Sequence, residues 1–320
     1  MAAAARVNPR DYFTAEQWTV LSDHSRWKGL ALVAHAWAVM IGAVAMVALL
    51  PAFWPITVPL AIMIVGARQL GLAILMHDAA HRGLAPDPKV NDFVGQWLCG
   101  APVGAGLESY RHYHLGHHRF AQQAEDPDLG LSAPFPITRK SLRRKIVRDL
   151  TGQTFAKQRT AVLRARLKAR KPGQSTASIW WAEAVRLRSF LLWNLGILVA
   201  LSAVGLWWAY FVLWLLPMAT WYPMITRLRN IAEHACIAKD EPDPLRHART
   251  THASIVERAL IAPYYVNYHC EHHMFMHLPC YQLPAAHRIL RRTGALAGMR
   301  YEPGGYPAVL GVATSAASRA

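Results

Sequence analysis

The chain has 320 residues, 53% of them hydrophobic and only 17% charged, with a formal net charge of +16. Soluble domains carry about 25% charged residues, so the deficit points to membrane immersion and argues against an ordinary water-soluble domain. The basic excess comes with no nucleic-acid recognition motif, which sets nucleic acid aside and leaves a membrane-surface and topogenic role.

Residues 1–28 read as a polar, partly helical lead-in, and "MAAAARVNPRDYFTAEQW" lacks the apolar core of a cleavable signal. No Asp, Glu, Lys or Arg occurs from Gly29 to Ala67. As one helix that stretch would be nearly 60 Å long, about twice the ~30 Å hydrocarbon core. It therefore predicts two spans, at about 30–50 and 55–76, with the prolines of "PAFWP" (Pro51 to Pro55) ending one and starting the next. The segment from His77 to Arg188 follows as a cytoplasmic part. Within it Val90 to Leu107 is apolar, short and glycine-rich, as a re-entrant or interfacial element would be. Arg139 to Lys171 is basic with helical periodicity, and "KPGQSTAS" reads as a loop. A second uncharged stretch, Ser189 to Thr226, predicts spans at about 189–206 and 208–226, turning at "VGLWW" (Val204 to Trp208).

Orientation follows from charge. Arg139 to Arg188 holds fifteen basic residues against two acidic ones, Asp149 and Glu183, whereas the hairpin tips hold none. Lys and Arg accumulate on the cytoplasmic side, so both termini and the cap (77–188 and 227–320) are expected there. The expected fold is an all-α, polytopic membrane protein, one domain over 1–320, with four transmembrane helices in two hairpins and a cytosolic helical cap. No short-period repeat is present. Cys99, Cys236, Cys270 and Cys280 form no CxxC pair and are expected to be reduced.

Sixteen histidines are distributed unevenly over this map. "LMHDAAHRG" gives His77 and His81 just after span two, one helical turn apart on a shared face. "YHLGHH" gives His114, His117 and His118; "TRLRNIAEHAC", after span four, gives Asn230 and His234; "NYHCEHHMF" gives His269, His272 and His273. Clustered imidazoles repel one another when protonated and need partners when buried, and a shared metal resolves both difficulties. Nine nitrogens exceed what one tetrahedral zinc takes, and the chain has neither HExxH nor ExxH. Two metals with four or five nitrogens each fit the count. Imidazole suits iron, copper, nickel and zinc alike, and redox chemistry on an apolar substrate favours iron.

HDAAH, HLGHH and HCEHH resemble the three histidine boxes of the membrane fatty acid desaturase family, and the N-x-x-x-H after span four resembles its additional ligand group. The likeness runs from span one to "LPCYQLP". It implies a cytosolic di-iron centre that activates O2 and removes two hydrogens from an unactivated acyl chain, of a membrane lipid or another acyl substrate. Residue by residue, the implied ligands are His77, His81, His114, His117, His118, His234, His269, His272 and His273, with Asn230 acting through water. The third box opens on His269 rather than Gln, which argues against a front-end enzyme. With no haem domain, flavin motif or ferredoxin-type cysteine run, the electrons are expected from a separate ferredoxin or cytochrome b5 type donor. The expected location is a bacterial inner membrane. The same boxes serve lipid, sphingoid-base and carotenoid hydroxylases or ketolases; a histidine-rich metal transporter is a remoter alternative, disfavoured because only His35 lies inside a span.

Asp78, Glu233, Asp126 and Asp128 lie close enough in sequence to fix the tautomer of a ligand, or simply to cap helices. Arg68, inside span two, is either an interior functional group or a snorkelling side chain. Trp97 is a candidate tunnel wall or plain core. His112 is read as a group behind the ligands or as surface, and His24, His35, His247, His252, His277 and His287, outside the boxes, as structural.

Overall fold

The computed structural model describes residues 6–170 and 173–315. Lys171, at one end of the basic helical stretch, and both chain ends lie outside the described residues. Helix α1 (Lys28–Leu49) buries Gly29, Val33, Ala36, Met40, Ala43 and Val47, a stripe repeating every three or four residues, and packs along α2 (Trp54–Ala80). At ~1.5 Å per residue the two are about 33 and 40 Å long. Small residues on that stripe let the backbones close in, as between membrane helices. Gly29 is obligatory, because a Cβ there would lie 2.0 Å from the Leu84 carbonyl oxygen. Ile41 and Leu49 face outward, a surface that hydrocarbon tolerates and water does not. The tip is a single 3-10 turn, Pro51–Phe53, across which the Trp54 indole N–H donates to the Val47 carbonyl at 2.9 Å. Lys28–Leu49 and Pro51–Ala80 are each long and apolar enough to cross a membrane.

Pro88 to Val103 forms short helical turns, π-wound over Val94–Gly100, wedged against both helices. Trp37 donates its indole N–H to the Leu98 carbonyl (3.0 Å), and a Cβ on Gly95 would lie 2.4 Å from that of Ala79. Helix α3 (Leu107–Arg119) then packs against the cap end of α2. The basic helices α4 (Arg139–Leu150) and α5 (Gln153–Lys168) follow; wholly buried Asp149 anchors the first by accepting from Arg227 Nε at 2.5 Å and Nη2 at 2.9 Å.

The second apolar stretch folds less simply than its hydropathy suggests. Helix α6 (Thr176–Arg186) meets α7 (Arg188–Ala203) at a 68° bend, and only counted together do they make a third candidate span. Gly205, at φ +75°, turns the chain into a helical stretch from Trp207 to Ala219 that is π-wound over Tyr210–Leu215. Helicity breaks at Thr220 before α8 (Trp221–His234). Pro223 has no N–H to offer the Ala219 carbonyl, and its ring crowds that group, so the stretch expected as one span over 208–226 is two helical pieces. Trp37 ties the hairpins together, stacking on Trp193 at 5.1 Å and Trp214 at 6.0 Å between ring centroids. The cap closes with α9 (His269–Met274) and α10 (Leu283–Arg292). One departure from an all-α fold is a minimal parallel pair, β1 (Thr250–Thr251) with β2 (Tyr301–Glu302). The four cysteines are unpaired.

Candidate metal centre

Four helices deliver the nine box and N-x-x-x-H histidines to one place. His77 and His81 sit at the cap end of α2, His114, His117 and His118 on α3, His234 at the end of α8, and His269, His272 and His273 on α9. They sort into two groups: His77, His81, His114, His118 and His272; and His117, His234, His269 and His273. Within each group one ring nitrogen per residue lies within 4.8 Å of all the others. Helix geometry explains the sorting. His114 and His118, four apart, share a face, while His117 is turned by about 100° from His118 and faces the second group. On α9 the roles exchange: His269 and His273 share a face, and His272 points to the first. Helices α3 and α9 thus each serve both groups.

The nitrogens converge closely. His118 Nε2 lies 3.0 Å from both His114 Nε2 and His272 Nε2, and His234 Nε2 lies 2.9 Å from His269 Nε2. His273 Nε2 is 3.2 Å from His269 Nε2 and 3.3 Å from His117 Nε2. Donors about 2.1 Å from one ion and at right angles to each other stand about 3 Å apart, so these separations suit a shared metal. Buried His77 Nε2 and both ring nitrogens of His81 have no protein partner among the described residues, an arrangement that is expensive without one. Burial, reinforced by neighbouring imidazoles and arginines, pushes His114, His118, His234, His269, His272 and His273 well below the ordinary histidine range, and His81 to about 3. Neutral imidazole is the ligand form.

Outer contacts settle which nitrogen is free. His117 Nδ1–H donates to Asp126 Oδ1 at 2.7 Å, and Asp126 is itself held by the backbone N–H groups of Gln122 (2.9 Å) and Asp128 (2.8 Å). His234 Nδ1 lies 3.2 Å from the His247 carbonyl, to which its N–H donates, and 3.2 Å from the Gln122 side-chain amide. In both, Nε2 is left with its lone pair. Of the four acids flagged in the sequence, Asp126 alone bonds a box histidine. Glu233 stands 3.6 Å from His269 Nδ1 and is tied to Arg229 at 2.6 Å; Asp128 accepts from Tyr113 at 2.5 Å; Asp78 accepts from the Cys280 N–H at 3.1 Å.

His287, treated as structural from sequence, donates from Nδ1 to Glu271 Oε1 at 2.5 Å, and the other oxygen of this wholly buried carboxylate is bonded to the Thr250 hydroxyl. Glu271 lies between His269 and His272 and fastens α9 to β1 and α10. The acid was visible in HCEHH; its partners, distant in sequence, were not. His112 is exposed, as expected. Arg68 is buried, donates to the Ala259 carbonyl at 2.7 Å and lies over the Tyr264 ring, so it faces the interior. Trp97 is 37% exposed and borders a shallow groove with Leu192 and Trp193, apart from the histidines.

A cavity of about 280 Å³ borders both groups, reaching His77 and His114 of the first and His117, His234 and His269 of the second. Asn230, one turn before His234, lines it together with Arg229, Tyr110 and Tyr222.

The sequence model described as "Fatty acid desaturase" matches residues 51–305. Among characterised proteins the chain is 28% identical over 269 residues to the dihydrorhizobitoxine desaturase of Bradyrhizobium elkanii, covering 82% of this chain and 74% of that one. It is 25% identical over 237 residues to the beta-carotene ketolase of Paracoccus sp. (strain PC1), covering 72% of this chain and 77% of the relative.

Proposed function

The chain belongs to the fatty acid desaturase family, and from that premise we propose that it introduces a double bond into a fatty acyl chain in an O2-dependent reaction at a di-iron centre. The family implies a lipid substrate, and two apolar helices agree with residence in a membrane. The observation that supports the reading most is the division of nine converging imidazoles, seven of them buried and two partly so, into a five and a four. On this reading His77, His81, His114, His118 and His272 hold one ion, and His117, His234, His269 and His273 the other, with Asn230 assisting the second through water.

Bound iron supplies the activation of dioxygen and the oxidation of an unactivated C–H bond. The protein does the rest. Desolvation favours the neutral form of His81, His114, His118, His234, His269, His272 and His273, Asp126 and the His247 carbonyl accept from Nδ1 of His117 and His234, and the adjoining cavity positions the reacting carbon beside both groups. The same proposal includes four spans in two hairpins within one domain, α7 and the Trp207–Ala219 stretch forming the second hairpin, and both chain ends and the cap on the cytoplasmic face. Electrons come from a separate ferredoxin or cytochrome b5 type carrier, and the likeness to a ketolase supports a second reading, hydroxylation or ketone formation on a lipid or carotenoid.

Expression in a carotenoid-producing host of known lipid composition, followed by mass spectrometry of total lipids, tests both. Loss of two hydrogens from an acyl lipid supports desaturation, and gain of oxygen on a lipid or carotenoid replaces it with the second reading. Unchanged lipids in cells making protein with one tightly bound zinc and no iron reject both.

A further inference from the structure

Helix α6, between the basic α5 and α7, has two unlike sides. Ser175 caps it, the hydroxyl accepting from the Ser178 N–H at 3.1 Å, so α6 begins as a helix in its own right. On its inner side Ile179 and Glu183 are buried; Glu183 accepts from Arg186 Nε at 2.9 Å and stands 3.7 Å from Arg166 of α5. The outer side gathers Ala177, Trp180, Trp181, Ala184 and Val185 by helical spacing. All five are exposed, Trp180 at 51% and Trp181 at 73%, and an apolar face of this kind marks a protein or membrane contact. Beyond the 68° bend α7 leaves Leu191, Leu192, Leu195 and Val199 exposed, as a span facing acyl chains does. Even if that span tilts ~20° from the membrane normal, the bend leaves α6 nearer the membrane plane than the normal. Helix α6 is also fastened through Glu183 to α5, whose exposed residues include Arg164, Lys168 and Arg170 at its end; hydrocarbon would not admit such a helix. From Gln153 to Arg188 the chain has nine basic residues and one acidic, Glu183. An apolar face in cationic surroundings is the pattern of a helix lying in an anionic membrane interface.

We propose that α6 lies in the headgroup region of an anionic leaflet. Trp180 and Trp181 sit at the boundary with the acyl chains, where indoles are favoured, and Arg164, Lys168, Arg170 and Arg188 face lipid phosphates. The inference rests on reading α7 as a span; it adds that the span ends at the bend and that anionic lipid holds the helix before it. Helix α5, which α6 braces, supplies Phe155 and Arg159 to a cavity that shares Tyr222 and Asn230 with the one beside the histidines. The seating of α6 therefore bears on the walls of the space that adjoins the metal centre.

The test uses the purified full-length protein, one chain per nanodisc, with a fluorophore on Ala184→Cys in a background lacking the native cysteines. Leu195→Cys on α7 is the reference inside the membrane. In nanodiscs containing phosphatidylglycerol, the probe at position 184 is expected to be quenched about twofold more by lipid spin-labelled near the headgroup than by lipid labelled near the chain end, and the probe at position 195 the reverse. Replacing phosphatidylglycerol with phosphatidylcholine is expected to lower the shallow quenching at 184 about twofold. Arg164→Gln combined with Lys168→Gln is expected to remove about half of that lipid dependence. If Ala184→Cys fails to fold, Ala177→Cys on the same face takes its place. A probe that aqueous iodide reaches and labelled lipid does not, or that deep-labelled lipid quenches most, overturns the proposal. Equal quenching in the two lipids overturns it as well, and so does protection seen only with two chains per nanodisc, which assigns the face to a second copy. Shallow quenching at 184 without deep quenching at 195 rejects the span reading of α7 and keeps α6 at the lipid surface.

Discussion

At the scale of single residues, the site's chemistry divides between groups that converge on a point and groups that aim them. His77→Ala, His117→Ala and His272→Ala are each expected to abolish product formation while the protein still reaches the membrane, since each removes a converging nitrogen outside the apolar bulk of the helices. Membrane fractionation with lipid analysis checks this, and near-normal product from any of the three counts against the assignment. Asp126→Asn keeps the size of the side chain but weakens the charge-assisted bond to His117 Nδ1. It is expected to lower metal affinity about ten- to a hundredfold, read by competition with a chelator. His287→Ala removes the ring that bonds buried Glu271, and stranding a buried carboxylate costs about 3–5 kcal/mol. Chemical denaturation is expected to show that loss although His287 lies in neither histidine group. The nine imidazoles were legible in the sequence as clusters at helical spacing, whereas their division into a five and a four depends on which way α3 and α9 face one another. His287 was not, because its importance lies in a carboxylate sixteen positions away in sequence.

At the scale of elements, the first hairpin followed its hydropathy, and the second shows where hydropathy stops. An uncharged run reports that a segment tolerates lipid; it does not report that the helix is continuous. Pro217 and Pro223 carry that information, and they break the run at Thr220. Topology at both tips is testable by cysteine labelling in a background without native cysteines. Position 204 serves better than Gly205, whose φ of +75° disfavours any side chain. Ala52→Cys and Val204→Cys are expected to react from outside the cell, and labelling of either only from the cytoplasmic side rejects the two-hairpin arrangement. Helix α4 presents Arg143 and Arg144 to solvent beside half-buried Lys145. Reversing the three to glutamate is expected to slow turnover driven by an acidic electron carrier and to flatten its dependence on salt. Turnover driven by a small chemical reductant is expected to persist; equal loss by both routes means that α4 serves fold or membrane seating instead.

At the scale of the whole molecule, the cap is built so that one short helix completes both groups. Helix α9 spans only six residues, too few to be stable alone in water, and tertiary contacts through Glu271 hold it in place. Because α3 and α9 each carry donors for both groups, the two sites have no independent scaffolds. On the proposed two-ion reading, an ion held by one group fixes side chains of α3 and α9 beside the other, so a second ion meets donors with less left to rearrange. Loading is therefore expected to be cooperative. Iron titrated into stripped protein should give a sigmoidal isotherm with few singly loaded molecules, and His272→Ala, which deletes a donor from the five, should also weaken retention by the four.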